Sequence, residues 1–311
     1  MKTKSNCEKS IVNTLFALIP LLFLSACGGG GGSDSSTGNT AADKVDFSEK
    51  TDAELTTMSG TAYSTGDSTA TFDMSSATSI ASGSPKISQF SNKLVAGFCD
   101  NEADGGSADI TATATEFSYT FVNCSLENII LNGGMSIITP ASIANFTHEV
   151  RINNYSFSEL STNTKFTMNG QIYLALPALT DVVQVGSVST QGGSYTFSIV
   201  SPELTDTVIL SNFENSFSRN TSDGILSSDY SYTVSSTLIG GEITIKSLTT
   251  IKHLYNTEQY PYEGTIEIKG KGDGAVLITI IDSTSINVKI DKDGDRLYES
   301  DEIISWTDFA L

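Results

Sequence analysis

The densest chemistry in the chain lies near its C-terminus, in the twelve residues Asp291-Lys292-Asp293-Gly294-Asp295-Arg296-Leu297-Tyr298-Glu299-Ser300-Asp301-Glu302. Counted from Asp291, carboxylates fall at positions 1, 3, 5, 9 and 12. In a tight loop this spacing can wrap a hard cation in about six or seven oxygens. Without an ion, so many carboxylates in one turn repel each other, and a divalent cation relieves that repulsion. The plain alternative is a solvated acidic turn.

Over those twelve residues only, the segment resembles a calmodulin-type EF-hand calcium loop. The resemblance implies Ca2+ ligated by the side chains of Asp291, Asp293 and Asp295 and by the carbonyl of Leu297. Glu299 would bind directly or through water, and Glu302 bidentately. Two departures stand out. Arg296 occupies position 6, where the family uses glycine because φ is positive, at a cost of about 1 kcal/mol for a side chain. A strand signal, Ile286 to Ile290, leads in where the family has a helix. Ile303, Ile304 and Trp306 are expected to close the turn, and the ion would be structural.

Other chemistry is sparse. The chain has only two histidines, His148 and His253, and carries neither a GxSxG elbow nor an HExxH pair. His148 sits in an alternating apolar run and reads as a core residue. No enzymatic activity is expected from these signals. Carboxylates meeting across a cleft for glycoside hydrolysis need geometry, not sequence spacing, so that alternative names no residues. The acidic stretch Asp100, Glu102, Asp104 and Asp109 has no ligand spacing and reads as a solvated loop. Gly270-Lys271-Gly272-Asp273-Gly274 precedes a strand, where a phosphate cradle would precede a helix, and so reads as a turn.

The N-terminus holds Lys2, Lys4 and Lys9, an apolar run from Ile11 to Leu24, and then Leu24-Ser25-Ala26-Cys27. This is the layout of a secretory signal, too short for a spanning helix. The quartet resembles the lipobox of bacterial lipoproteins. That resemblance implies cleavage before Cys27, acylation of Cys27 and a lipid anchor in the membrane. Gly28 in place of an aspartate implies sorting to the outer membrane of a Gram-negative cell. The run Gly28 to Gly32 reads as the start of a flexible tether and resembles that of surface-exposed lipoproteins such as transferrin-binding protein B, over the tether alone. Three segments are therefore expected: a signal at 1–26, a lipidated tether at 27–58 and a single-domain body at 59–311.

Cleavage removes three lysines and one glutamate, taking the formal net charge from −19 to −21. Nucleic acid and anionic membrane surfaces are poor partners for such a body. Of four cysteines, Cys7 leaves with the signal and Cys27 carries lipid. Cys99 and Cys124 remain, an even pair in an oxidising compartment, and are expected to form one disulfide.

The elements that must position these residues are mostly strands. Period-two alternation runs through Phe146–Ile152, Phe166–Leu174, Tyr195–Ile199, Tyr230–Val234, Ile243–Ile245, Ile266–Ile268, Val276–Ile280 and Ile286–Ile290. A change of phase near Glu116 predicts a bulge or break. Glycines 134, 170, 241 and 264 each precede an alternating run and read as hairpin returns. Thr51-Asp52-Ala53-Glu54 is a capping box for a short helix, and Ser84 to Cys99 carries apolar residues at helical spacing. The expected fold class is mainly β: an antiparallel meander forming a sandwich, roll or partly open barrel, with one or two short helices near the N-terminal end of the body. The expected function is that of a lipid-anchored outer-membrane lipoprotein acting as a binding or envelope-interaction module for an envelope or extracellular ligand. The alternatives are a carboxylate-based hydrolase of polysaccharide and a purely structural envelope component.

Overall fold

The computed structural model describes residues 43–66, 93–94, 98–176, 181–254 and 260–309. Signal, lipobox and the first half of the tether, residues 27–42, lie outside these residues. So does most of the helix expected over 84–99, and Lys93–Leu94 within it form a short strand instead, opposite Ile110 and Asp109.

The described residues fold into one antiparallel sheet of fifteen strands. These are β1 (Lys93–Leu94), β2 (Ser107–Ala112), β3 (Glu116–Leu126), β4 (Ile129–Ile138), β5 (His148–Glu159), β6 (Thr164–Ala175), β7 (Val183–Ser189) and β8 (Ser194–Val200). They continue as β9 (Thr205–Asn220), β10 (Ile225–Ser236), β11 (Gly241–Leu254), β12 (Glu263–Lys269), β13 (Ala275–Ile280), β14 (Ser285–Asp291) and β15 (Ser300–Ser305). Neighbours in sequence are neighbours in space, with one irregularity. β7 and β8 lie end to end, both between β6 and β9, so they are one long strand looped out at Thr190–Gly193. The phase change near Glu116 is a hairpin, since β2 ends at Ala112 and Thr113 N–H donates to the Glu116 carbonyl at 2.7 Å.

Alternation buries one face. Ile266, Ile268, Val276, Ile278 and Ile286 are fully buried on β12 to β14, while Glu267, Leu277 and Lys289 between them are not. Burying such a side chain contributes about 1.5–3 kcal/mol. A helix, α1 (52–66), lies on that face and buries Leu55, Met58, Ala62 and Tyr63. Its start is the expected capping box, with Thr51 N–H donating to Glu54 at 2.8 Å and Glu54 N–H to the Thr51 hydroxyl at 3.2 Å. The Tyr232 hydroxyl donates to the Ala62 carbonyl at 3.2 Å, and Gly66 sits so close to the Tyr232 ring that any side chain there would overlap it. Val45 and Phe47, in the segment before α1, are also buried. Val45 N–H bonds Glu242 O, and Lys271 N–H bonds Val45 O. Packing of the body therefore begins well before residue 59, and a boundary at 58 falls inside α1.

The final helix, α2 (Trp306–Phe309), returns to α1: the Trp306 ring lies 5.5 Å from Tyr63 and stacks on Tyr260 at 5.4 Å. Its indole N–H donates to the Asp282 carbonyl at 3.2 Å.

Bulges crease the sheet. β3, β5 and β9 each carry an extra residue at an asparagine with positive φ: Asn123 at 46°, Asn154 at 46° and Asn212 at 51°. Asparagine tolerates this conformation, and each bulge increases local twist and bends its strand. Neighbouring asparagines accept two of the displaced N–H groups, Asn132 from Asn123 at 2.8 Å and Asn169 from Asn154 at 3.4 Å. Gly170 lies on the same crease with φ of 140°, where an added Cβ would sit 2.7 Å from the Ser194 carbonyl. Thus Gly134 and Gly170 are mid-strand residues, not hairpin returns, while Gly241 does begin a strand after a turn.

Cys99 and Cys124 are buried at bonding distance, their Cα atoms 5.1 Å apart. The acidic stretch beside Cys99 is pinned to β3, as Asp100 accepts from Glu127 N–H at 2.7 Å and Asn101 accepts from Ser125 N–H at 2.8 Å.

Two stability outcomes are expected. Trp306→Ala empties a fully buried site and should cost about 3–5 kcal/mol in denaturant unfolding. Reducing the Cys99–Cys124 bridge, which closes a span of 25 residues, should cost about 3.5 kcal/mol on the chain-entropy estimate.

Candidate functional site

The acidic loop joins β14 to β15. Asp291 is the last residue of β14, paired with Ala275 and 4% exposed. Its two carboxylate oxygens accept Gly294 N–H at 2.8 Å and Arg296 N–H at 3.0 Å, pulling the chain into a tight turn around it. Asp293 accepts from Asp295 N–H at 3.1 Å, Asp295 from Leu297 N–H at 2.7 Å, and Glu299 from Lys292 N–H at 2.9 Å. Arg296 has φ of 72°, so the positive conformation that glycine serves at position 6 is present here with a side chain.

Three carboxylates converge: single oxygens of Asp291, Asp293 and Glu299 all lie within 4.8 Å of one another. Asp295 and Glu302 stand outside this trio. The reason for Glu302 is the element that follows. β15 starts at Ser300 and pairs with β14, holding Glu302 in the ladder opposite Val288, with its side chain exposed. A helix after the loop would have turned position 12 back toward Asp291. The Leu297 side chain is exposed, its N–H spent on Asp295.

The neighbours of the loop differ from those expected. Ile303 is 68% exposed, and Trp306 sits at the opposite end of β14, beyond the Asp282–Ser285 turn. Seven strand residues separate the two ends, about 20 Å. Instead the loop touches the turn at Gly270–Gly274 and the start of α1. Gly294 packs against Asp273, Gly274 against the Lys292 carbonyl, and the Lys292 ammonium lies 2.5 Å from Asp52.

A second polar constellation escaped the sequence reading. Glu149 alternates on β5 as though it faced water, yet its side chain is completely buried. It shares a face with Arg151 on β5 and with Gln171 and Tyr173 on β6. The segment before β5 folds over that face, and the Phe146 ring lies 5.6 Å from Tyr173. One Glu149 oxygen accepts from both Arg151 Nε and Gln171 Nε2, the other from Ser142 N–H at 3.0 Å. Burial alone would raise the Glu149 pKa, but bonds from Ser142 and Arg151 outweigh it and bring the carboxyl from 4.5 down to about 2. His148 next to it is half-buried, which lowers its pKa. The only signal for this network in the sequence is two charged residues alternating with apolar ones, a pattern shared by any solvated strand.

The sign of the pH effect follows. A carboxyl with a depressed folded pKa stabilises fully above its unfolded value and loses that contribution as pH falls through its folded one. Stability should therefore decline between pH 4.5 and about 2. Glu149→Gln should flatten that decline, as read by urea unfolding across the window. An identical acid limb in the variant would remove Glu149 as its source.

No known protein family, characterised protein or solved structure is significantly similar to this chain.

Proposed function

We propose that this chain is a lipid-anchored bacterial outer-membrane protein whose β body is a binding module, with a calcium ion bracing the loop between β14 and β15. The observation that carries the cation is the convergence of Asp291, Asp293 and Glu299. Asp291 is nearly fully buried and its oxygens are already oriented by backbone N–H groups, so the loop need not reorganise to present them. Hard oxygen donors of this kind select Ca2+ or Mg2+, and the irregular loop suits the more flexible calcium coordination. Main-chain carbonyls and water would complete the shell. The ion would join the loop to the Gly270–Gly274 turn and, through Lys292 and Asp52, to the start of α1.

The lipid anchor rests on Leu24-Ser25-Ala26-Cys27, and the acidic charge suits a body held at a wet envelope surface. Two or three acyl chains on Cys27 give stable attachment where one is marginal.

Calcium added to the protein should raise its melting temperature. At a free concentration one hundred times the Kd the gain is about 2.7 kcal/mol. Asp291→Asn or Glu299→Gln should abolish the response, whereas Glu302→Gln should leave most of it. A melting curve indifferent to millimolar calcium would sink the ion. Metabolic labelling with an alkyne fatty acid should mark the protein and fail in Cys27→Ser; equal labelling of both would sink the anchor.

A further inference from the structure

Where the crease crosses β5, β6 and the looped-out Thr190–Gly193 segment, it leaves an open depression of about 460 Å³. Arg151, Asn169, Gln171, Gln191, Ser194 and Ile143 line it. Its volume falls within the range of small-molecule sites. Nearly every polar group on its wall is half committed. Arg151 gives Nε to the buried Glu149, and among the described residues no protein group takes its Nη donors. Gln171 spends its amide nitrogen on the same carboxylate, which leaves its carbonyl oxygen. Asn169 spends its oxygen on the Asn154 bulge at 3.4 Å, which leaves its nitrogen. Gln191 donates to the Ser189 hydroxyl at 2.9 Å and keeps its carbonyl. The wall thus carries both unspent donors and unspent acceptors, on side chains each held by a bond to the protein.

We propose that this depression binds a neutral saccharide. Three features select that class. The Arg151 charge is already matched by Glu149, so the wall is close to neutral, and the chain as a whole, at −19, repels anionic polymers. Planar amide and guanidinium groups with one side spent and one side open suit hydroxyls, which donate and accept at once. Ile143 and Tyr173 also line it, an apolar and an aromatic residue of the kind that takes the C–H face of a sugar ring. Glu149 is the positioning residue: a buried carboxylate is costly unless its partners hold it, and here those partners are the ligand-facing groups. The inference rests on the reading of the body as a binding module and names its ligand class; it does not depend on the calcium loop.

The test is saturation-transfer NMR and titration calorimetry on the full chain, in a detergent without a sugar headgroup. The probes are glucose, galactose, mannose, N-acetylglucosamine and their short oligomers, with galacturonate as the anionic control. At least one neutral sugar should bind saturably. Asn169→Ala and Gln191→Ala, both at exposed positions, should each weaken it about tenfold, the loss of one hydrogen bond, with the melting temperature unchanged in Gln191→Ala and lowered only slightly in Asn169→Ala, which also gives up the acceptor for Asn154 N–H. Arg151→Met should weaken it further. Preference for galacturonate would overturn the neutral class, and neutral-sugar binding untouched by all three variants would overturn the site while leaving the binding-module reading intact. Failure of every sugar overturns the proposal, and the module reading falls with it only if no envelope polysaccharide, neutral or acidic, binds saturably.

Discussion

The need to cover one apolar face of a long, sequentially ordered sheet governs the rest of the structure. A meander satisfies its backbone hydrogen bonds strand by strand, but it leaves the inward residues of every strand to find partners elsewhere. Over β10 to β14, α1, the Val45–Phe47 segment and α2 supply such partners, and the buried side chains from Val45 to Phe309 belong to one hydrophobic cluster. Tyr63, Trp306, Phe309 and Tyr260 hold the first and last described elements together in a single aromatic contact group. The two ends of the described body are thereby joined by packing, and among the described residues no strand pair closes the sheet.

Covering a face also requires the sheet to bend, and the bend is where its polar features collect. Asparagine bulges on β3, β5 and β9, the Gly170 kink and the interrupted β7–β8 strand accommodate the curvature. Each displaces backbone groups that side chains must satisfy. A concavity lies beside Arg151 and Gln171 on the same part of the sheet. The acidic loop lies apart, at a strand end where a tight turn brings carboxylates together.

Electrostatics act oppositely at these two places. The loop gathers like charges around Asp291 and orders them with backbone N–H donors. Around Glu149 the chain supplies its own countercharge and an amide, so the carboxylate stays ionised though buried. The second arrangement couples folding to pH.

By itself the sequence determined what depends on local periodicity and composition. The runs at Ile266–Ile268, Val276–Ile280 and Ile286–Ile290 are strands with those residues inward, because alternation reports burial wherever one face of a strand is covered and the other is wet. The capping box at Thr51–Glu54 was equally legible, its bonds spanning three residues, and the pairing of Cys99 with Cys124 followed by elimination. Only the tertiary structure decided which partners meet across the sheet. Glu149 has the sequence environment of an exposed residue, and its burial comes from a separate segment folding over it. Glu302 has the spacing of a ligand, and β15 pairing holds it away. β9, sixteen residues long, changes phase at the Asn212 bulge, and β7 carries exposed valines, so neither shows a clean alternation. In each case the deciding contacts are non-local, and a period of two along one strand carries no information about what lies across it.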